Sequence, residues 1–306
     1  MNWKLKALLL YDKVNPSLQH SDAVPIEAQR AHVEKISALG TKIFNAVLSV
    51  QSIWNLEADG VPVRIYANSS EPAQPVIVYY HGGGFALYSL DSHDAVCRRL
   101  CVMNNAIVVS VDYRMAPEYT FPVAHQDAWT ALQWVKKNIS TYHGDPSKII
   151  LAGDSAGGNL SACMAIKAKR ENFKLLAQVL VYPWVDGRIN SGSVERNGKG
   201  YFLTKESILW FQQKYTPDPK DHCNPLVSPL FETEVAGLAP AFIITAEFDP
   251  LLDEGKAYAD KLSEAGNEVQ YKEYKGLVHG FFNIPGIDAE AMQAYKDIRD
   301  FVQRLV

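Results

Sequence analysis

Hydrophobic and polar positions divide the chain into two regions with different periods. Up to about residue 50 the period is helical, and it predicts one amphipathic helix from Trp3 to about Val14 and another from near Pro25 to just before Gly40. IWNLEA and VPVRIYA then alternate between apolar and polar residues and are joined by Asp59-Gly60, which favours an antiparallel hairpin. Two helices therefore precede every predicted strand.

From Pro75 onward, short apolar runs alternate with helical stretches. The runs VIVYY, AIVVSV, KIILAG, AQVLVYP, AFIITA and VQYKEY are typical of strands that helices bury on both faces. Together with the hairpin they predict an α/β fold built on a mostly parallel, eight-stranded sheet. The intervening helices are predicted at Asp91 to Met103, Ala124 to Asn138, Ala156 to Arg170, Leu251 to Ala265 and Ala289 to Leu305.

One long interval interrupts this order, between the strand ending near Tyr182 and the strand starting near Ala241. It contains a polar loop over residues 186–200 and a helical stretch over residues 205–215. Insertions of this length in a compact domain are usually lids or binding elements. We therefore predict N-terminal cap helices over residues 1–50 and one main domain over residues 51–306, with a cap insertion at about 184–217.

Composition, charge and the length of the apolar runs exclude several classes of protein. Of 306 residues, 47% are hydrophobic and 21% are charged, which favours a globular chain over a disordered one. The net charge is -4 and no basic block is present, so we expect no nucleic-acid partner. The apolar run from Ala7 is cut off by Asp12, too early for a signal peptide, and no run is long enough to span a bilayer. We expect a cytoplasmic protein without stable membrane insertion.

The four cysteines are Cys97, Cys101, Cys163 and Cys223, and they form no CxxC pair. This spacing makes a zinc or redox site improbable. Free cysteines are usually buried and behave as small apolar residues. We expect buried free thiols and no metal site.

The first motif that carries chemistry is Gly153-Asp154-Ser155-Ala156-Gly157, which follows the strand KIILA and opens a helix. This is G-x-S-x-G in the strand–turn–helix context that the motif requires. The sharp turn needs small flanking residues and lifts the Ser155 hydroxyl clear of the sheet, where the helix N-terminus favours developing negative charge. Ser155 is the candidate nucleophile.

The second motif is His81-Gly82-Gly83-Gly84-Phe85, after the strand VIVYY. Consecutive glycines let backbone N–H groups approach a ligand closely, as stabilisation of an oxyanion requires. The alternatives are a flexible turn at the strand end and a phosphate loop, but for the latter Leu87 stands where G-x-G-x-x-G needs its last glycine. Paired with Ser155, the motif indicates acyl transfer.

A serine nucleophile needs a base, and the base needs an orienting carboxylate. If both follow Ser155 in the chain, the candidate bases are His222 and His279. His279 is preferred because it follows the strand VQYKEY, at the sheet edge where active sites gather. Asp249, directly before Pro250, is the preferred acid, and Glu247 is the alternative.

Taken together, HGGGF, YRMAPEYTFP, GDSAGGNL, DPLLDEG and HGF resemble, in order and spacing, the hormone-sensitive-lipase-like esterases, bacterial family IV of the α/β-hydrolase fold. The resemblance implies Ser155 as nucleophile, His279 as base and Asp249 as acid, with oxyanion N–H groups from Gly83, Gly84 and Ala156. It also implies that no cofactor is needed and that a cap roofs the pocket.

We expect Arg114 and Glu118 to form an ion pair behind the glycine loop, and His81 to brace that loop. An acyl pocket would be lined by aromatic and apolar side chains. The candidates for substrate binding are Phe85, Trp184, Phe202, Leu203, Trp210, Phe211 and Phe281, with Tyr201 and Phe282 as further aromatics.

The expected reaction is hydrolysis of short- to medium-chain carboxylic esters by a monomer or homodimer. Two alternatives remain. One is another acyl hydrolase on the same fold, a thioesterase, amidase or peptidase. The other is a non-catalytic small-molecule binder, since plant gibberellin receptors resemble this family.

Overall fold

The computed structural model describes residues 3–14, 22–44, 47–284, 286 and 288–306. The strands are β1 (Ser52–Ala58), β2 (Val61–Ala67), β3 (Gln74–Tyr80), β4 (Ile107–Val111), β5 (Gly144–Asp154), β6 (Ala177–Val181), β7 (Ala241–Phe248) and β8 (Val269–Val278). The helices of the described residues are α1 (Trp3–Val14), α2 (Ile26–Phe44), α3 (Asp94–Asn104), α4 (Val123–Asn138), α5 (Ala156–Arg170), α6 (Gly192–Asn197), α7 (Lys205–Tyr215), α8 (Leu252–Glu264) and α9 (Ala289–Gln303).

The described strands form one sheet in the order β1-β2-β4-β3-β5-β6-β7-β8. β1 and β2 form the predicted antiparallel hairpin, in which Ala58 pairs with Val61 and both Asp59 and Gly60 have positive φ. β2 also runs antiparallel to β4, and all later neighbours are parallel. The prediction of a mostly parallel eight-stranded sheet is confirmed.

The inner strands of the sheet are buried on both faces, as their apolar runs predicted, whereas the edge strands β1 and β8 are only partly buried. In β3, Val76, Val78 and Tyr80 join one core cluster with residues of α4 and α5, while Ile77 and Tyr79 join a second cluster with residues of α3 and α9. Because helices cover both faces, the accessible part of the sheet is the edge formed by the strand ends. The carboxyl ends of β5, β7 and β8 share one such edge.

Helix boundaries agree closely with the pattern, and two predictions were wrong. α2 continues past Gly40 to Phe44, because a single glycine costs a helix only about 1 kcal/mol and the amphipathic pattern resumes at Thr41. The supposed loop over residues 186–200 contains α6, which begins after Ser191 because the serine side chain accepts the Val194 N–H.

The cysteine prediction holds for three thiols and was wrong for the fourth. Cys97, Cys101 and Cys163 are free and buried, whereas Cys223 is free and exposed. Cys223 lies in the loop after α7, where it is not enclosed by the core.

Burial lowers the pKa of His81 and of His125 from 6.5 to about 4. Between these values the unfolded chain binds protons that the folded chain excludes. The free energy of unfolding is therefore expected to fall as the pH falls from 6.5 to 4, by up to about 1.4 kcal/mol per pH unit for each histidine. Urea unfolding at a series of pH values tests this. His125→Gln should flatten the slope in this window and run parallel to the wild type above it; an unchanged slope would count against the assignment.

Candidate active site

Ser155 lies in the sharp turn between β5 and α5. Its φ of 55° and ψ of -117° are unusual for a residue with a side chain, and its N–H donates to the Val181 carbonyl at 2.9 Å. Position 157 must be a glycine, because a Cβ there would lie only 1.8 Å from the Tyr80 carbonyl oxygen. The motif therefore fixes the backbone that presents the hydroxyl.

His279 lies between Ser155 and Asp249. Its Nε2 is 3.0 Å from the Ser155 Oγ, and its Nδ1 is 2.7 Å from Oδ2 of Asp249. Asp249 is fully buried, whereas Ser155 and His279 retain 9% and 8% exposure. A carboxylate on Nδ1 favours the tautomer that carries its proton there, which leaves Nε2 free to accept the serine proton.

The two alternative residues lie in other contacts. Glu247 accepts the Gly276 N–H at 2.7 Å, and the Nε2 of His222 lies 3.0 Å from the Thr216 carbonyl. The structure thus brings the preferred base and acid to Ser155.

The glycine loop lies beside Ser155 on the same cavity. Gly83 and Gly84 have φ of 112° and 59°, and a Cβ on Gly84 would lie 2.2 Å from the Phe211 ring. Side chains are thereby excluded at both positions. Ala156 is the first residue of α5, so its N–H has no acceptor within the helix. Gly83 and Gly84 thus line the cavity onto which Ser155 opens, and Ala156 follows Ser155 in the chain.

Asp154 anchors the glycine loop to the strand that carries Ser155. Its Oδ1 accepts the Gly82 N–H at 2.9 Å and the Tyr79 hydroxyl at 2.6 Å, and it lies 3.4 Å from the Nε2 of His93. Burial would raise the pKa of Asp154, but the charge and hydrogen bond of His93 and the Tyr79 hydroxyl leave it lowered. A charged, buried carboxylate thus joins the loop to the nucleophile strand.

The loop has a second support in His81. Its Nδ1 lies 2.7 Å from the Gly82 carbonyl, and its ring stacks on Tyr113, whose hydroxyl donates to the His81 carbonyl. The expected contact of His81 with the loop is present.

The expected Arg114–Glu118 ion pair was wrong. Arg114 pairs with Asp127 of α4 at 2.7 Å, and Glu118 pairs with Arg30 of α2 at 2.7 Å. Sequence proximity favoured the local pair, but α4 and α2 bring partners from elsewhere in the chain. Arg30 also donates to the Ala86 and Ala116 carbonyls, so α2 is tied to the segment after the glycine loop.

A cavity of about 820 Å³ opens onto Ser155 and His279. Of the candidate residues, Trp184, Phe202, Leu203 and Phe211 line it, and so does Tyr201. The remaining lining residues include members of α1, α2 and two loops that the sequence did not single out: Leu9, Leu10, Ile36, Ser37, Gly40, Thr41, Leu87, Tyr88, Gly280, Asn283 and Ile284. The resemblance implied a roof over the pocket, and α1 and α2, the predicted N-terminal cap helices, supply part of this wall.

Four of the candidate pocket residues lie outside the cavity wall. Phe85 stacks on Tyr215 with ring centroids 3.7 Å apart, and Phe282 stacks on Tyr295 at 4.1 Å. Trp210 and Phe281 are also buried in packing contacts, with 8% and 1% exposure. These side chains pack in the protein interior rather than on the cavity surface.

Across the ranges given above, no group of three or more His, Cys, Asp or Glu side chains could hold a metal ion. In the same ranges, no helix is both long and apolar enough to cross a bilayer.

The fold and the site together define an α/β hydrolase. A family model described as the alpha/beta hydrolase fold matches residues 77–283. The carboxylic ester hydrolase LipN of Mycobacterium tuberculosis is 42% identical over 234 residues, covering 74% of this chain and 62% of LipN, so the match spans less than two thirds of that relative.

An esterase structure from Pyrobaculum calidifontis superposes with a TM-score of 0.92 at 36% identity, covering 99% of this chain and 98% of that one. The gibberellin receptor GID1B of Arabidopsis thaliana is 31% identical over 265 residues, covering 84% of this chain and 73% of the receptor. The chain belongs to the hormone-sensitive-lipase-like family IV of the α/β hydrolases, which confirms the resemblance.

Proposed function

We propose that the protein is a serine carboxylesterase that works through an acyl-enzyme intermediate. The observation that carries this proposal is the unbroken contact from the Ser155 Oγ through His279 to the buried Asp249. Esterase names among the relatives support the same activity.

In the first half of the reaction, the Ser155 Oγ attacks the ester carbonyl carbon while the Nε2 of His279 takes the hydroxyl proton. The N–H groups of Gly83, Gly84 and Ala156 hold the negative oxygen of the tetrahedral intermediate. The intermediate collapses when the bond to the leaving oxygen breaks, and His279 donates its proton to that oxygen. An alcohol departs and Ser155 remains acylated.

In the second half, His279 takes a proton from water, whose oxygen attacks the acyl carbon. Collapse returns the proton to the Ser155 Oγ and releases the carboxylic acid. Asp249 holds the imidazole in the required tautomer and stabilises its protonated form throughout.

The substrate class follows from the walls of the cavity. Trp184, Phe202, Leu203, Ile208 and Phe211 offer apolar surface, and the volume of about 820 Å³ is that of a typical small-molecule site. This supports uncharged, soluble esters with short to medium acyl chains. Leu10 both lines the cavity and is 61% exposed, so an emulsified substrate belongs in the test.

Initial rates on p-nitrophenyl acetate, butyrate, octanoate and palmitate test the proposal. We expect the highest kcat/KM between acetate and octanoate and a steep fall at palmitate, because the cavity is finite. Faster turnover of an emulsified long-chain triglyceride than of the soluble short esters would overturn the chain-length proposal. Thioesters and amides in the same panel separate esterase from other acyl-hydrolase activity.

The receptor relative raises the possibility of a binder without catalysis. His279 argues against it, because a binding module has no need of an imidazole within hydrogen-bond distance of a serine hydroxyl. Turnover of any ester in the panel would exclude this alternative.

A further inference from the structure

The short helix α6 of the cap insertion contacts the backbone around Asp249. The side-chain amide of Asn197, the last residue of α6, donates to the Glu247 carbonyl at 3.0 Å and to the Asp249 carbonyl at 3.1 Å. Asn197 is 8% exposed, so these hydrogen bonds are largely protected from water. One side chain thus holds the backbone on both sides of Phe248.

Ser193, near the start of α6, holds the next part of the same loop. Its hydroxyl donates to the Pro250 carbonyl at 2.6 Å and accepts the Asp253 N–H at 3.0 Å. Ser193 is fully buried. The two side chains of α6 therefore make four hydrogen bonds to the backbone of residues 247–253.

This loop needs partners from outside because its own secondary structure supplies few. The pairing of β7 with β8 shifts register between Ala246 and Phe248, which takes the Glu247 carbonyl out of the regular ladder. α8 begins after Leu251, whose side chain cannot cap the helix, so its first N–H groups need acceptors elsewhere. Ser193 supplies one of them.

We propose that Asn197 and Ser193 are positioning residues that align Asp249 with His279, an inference that rests on the proposed esterase function. The Asp249 carboxylate spans 2.7 Å to the Nδ1 of His279 and 2.8 Å to the Leu251 N–H. Both contacts depend on where the backbone of Asp249 lies, and α6 fixes that backbone. Small displacements of catalytic groups cause large losses of rate.

The same helix offers a matched control. Arg196 pairs with Asp253 at 2.8 Å, so it joins α6 to the same loop, but the two side chains are 58% and 36% exposed and touch no backbone beside Asp249. Removing this pair tests whether the loss of any contact between α6 and the loop lowers kcat, or only the loss of contacts to the backbone beside Asp249.

The experiment measures kcat and KM on p-nitrophenyl butyrate for Asn197→Ala, Ser193→Ala and Arg196→Ala, with active sites counted by a phosphonate that labels Ser155. Asn197→Ala is repeated in an Asp249→Asn background.

We expect Asn197→Ala to lower kcat about ten-fold or more with KM nearly unchanged. Ser193→Ala should act in the same direction, and Arg196→Ala should match the wild type. In the Asp249→Asn background the Asn197 substitution should have no further effect, because the carboxylate that it aligns is gone.

Three results would overturn the proposal: kcat of Asn197→Ala within two-fold of the wild type, an equal loss in Arg196→Ala, or an undiminished loss in the Asp249→Asn background. If Asn197→Ala does not fold, Ser193→Ala in both backgrounds decides by the same criteria. A wild-type protein inactive on all esters would instead contradict the proposed function, so the two failures are distinguishable.

Discussion

Replacing Ser155 with alanine is expected to lower kcat on p-nitrophenyl butyrate by about 10⁴ to 10⁶-fold. Without the Oγ no acyl-enzyme can form, and only the N–H groups and the cavity remain to assist direct attack by water. KM should change little, because the hydroxyl contributes little to binding of the ester in its ground state. Steady-state rates with enzyme concentrations fixed by absorbance provide the measurement.

Ser161→Ala is the matched control for this substitution. Ser161 lies on the same helix, α5, and is fully buried without contact to the cavity. It should retain wild-type kcat. Near wild-type turnover by Ser155→Ala would remove the nucleophile from the mechanism, and an equal loss in both variants would indicate damage to α5 instead.

The fold could be predicted because its sequence signals are local. The parallel strands β3 to β7 each contain a short apolar run, which begins or ends where glycine, proline or a polar residue changes the pattern. Asp59-Gly60 specifies its hairpin through positive φ, and Gly157 is specified by the close approach of Tyr80. Parallel strands then bring the residues at their carboxyl ends together, which is why Ser155, Asp249 and His279 could be chosen before their distances were known.

The cavity could not be predicted in the same way, because its walls come from distant parts of the chain. An aromatic residue such as Phe85 is equally suited to a pocket or a core, and only its stacking on Tyr215 of α7 decides for the core. Arg114 has an acidic neighbour in the sequence, Glu118, but in the folded chain its ion pair is with Asp127 of α4.

The loop over residues 247–253, which contains Asp249, has both a local sequence signal and contacts from a distant part of the chain. Its motif, DPLLDEG, could be recognised in the sequence. Its contacts with α6 could not, because Asn197 and Ser193 lie in a polar stretch without helical periodicity. Their hydrogen bonds join positions 193–197 to positions 247–253, which lie fifty or more residues further along the chain. The same segment continues into Phe202 and Leu203 at the cavity wall, so residues 193–203 contact both the loop around Asp249 and the cavity.

Asp249→Asn is expected to lower kcat by about 10⁴-fold while leaving the fold intact. The amide has nearly the same shape, but it can donate a hydrogen bond to the Nδ1 of His279. That favours the tautomer with its proton on Nε2, which cannot accept the Ser155 proton. Thermal unfolding should confirm the fold, and kcat should be measured beside Glu247→Gln. Glu247 is the other acid of the same loop and contacts the Gly276 N–H, so its amide variant should retain most of the activity. A larger loss in Glu247→Gln than in Asp249→Asn would reassign the acid, because only the group that sets the imidazole tautomer can produce a loss of this size.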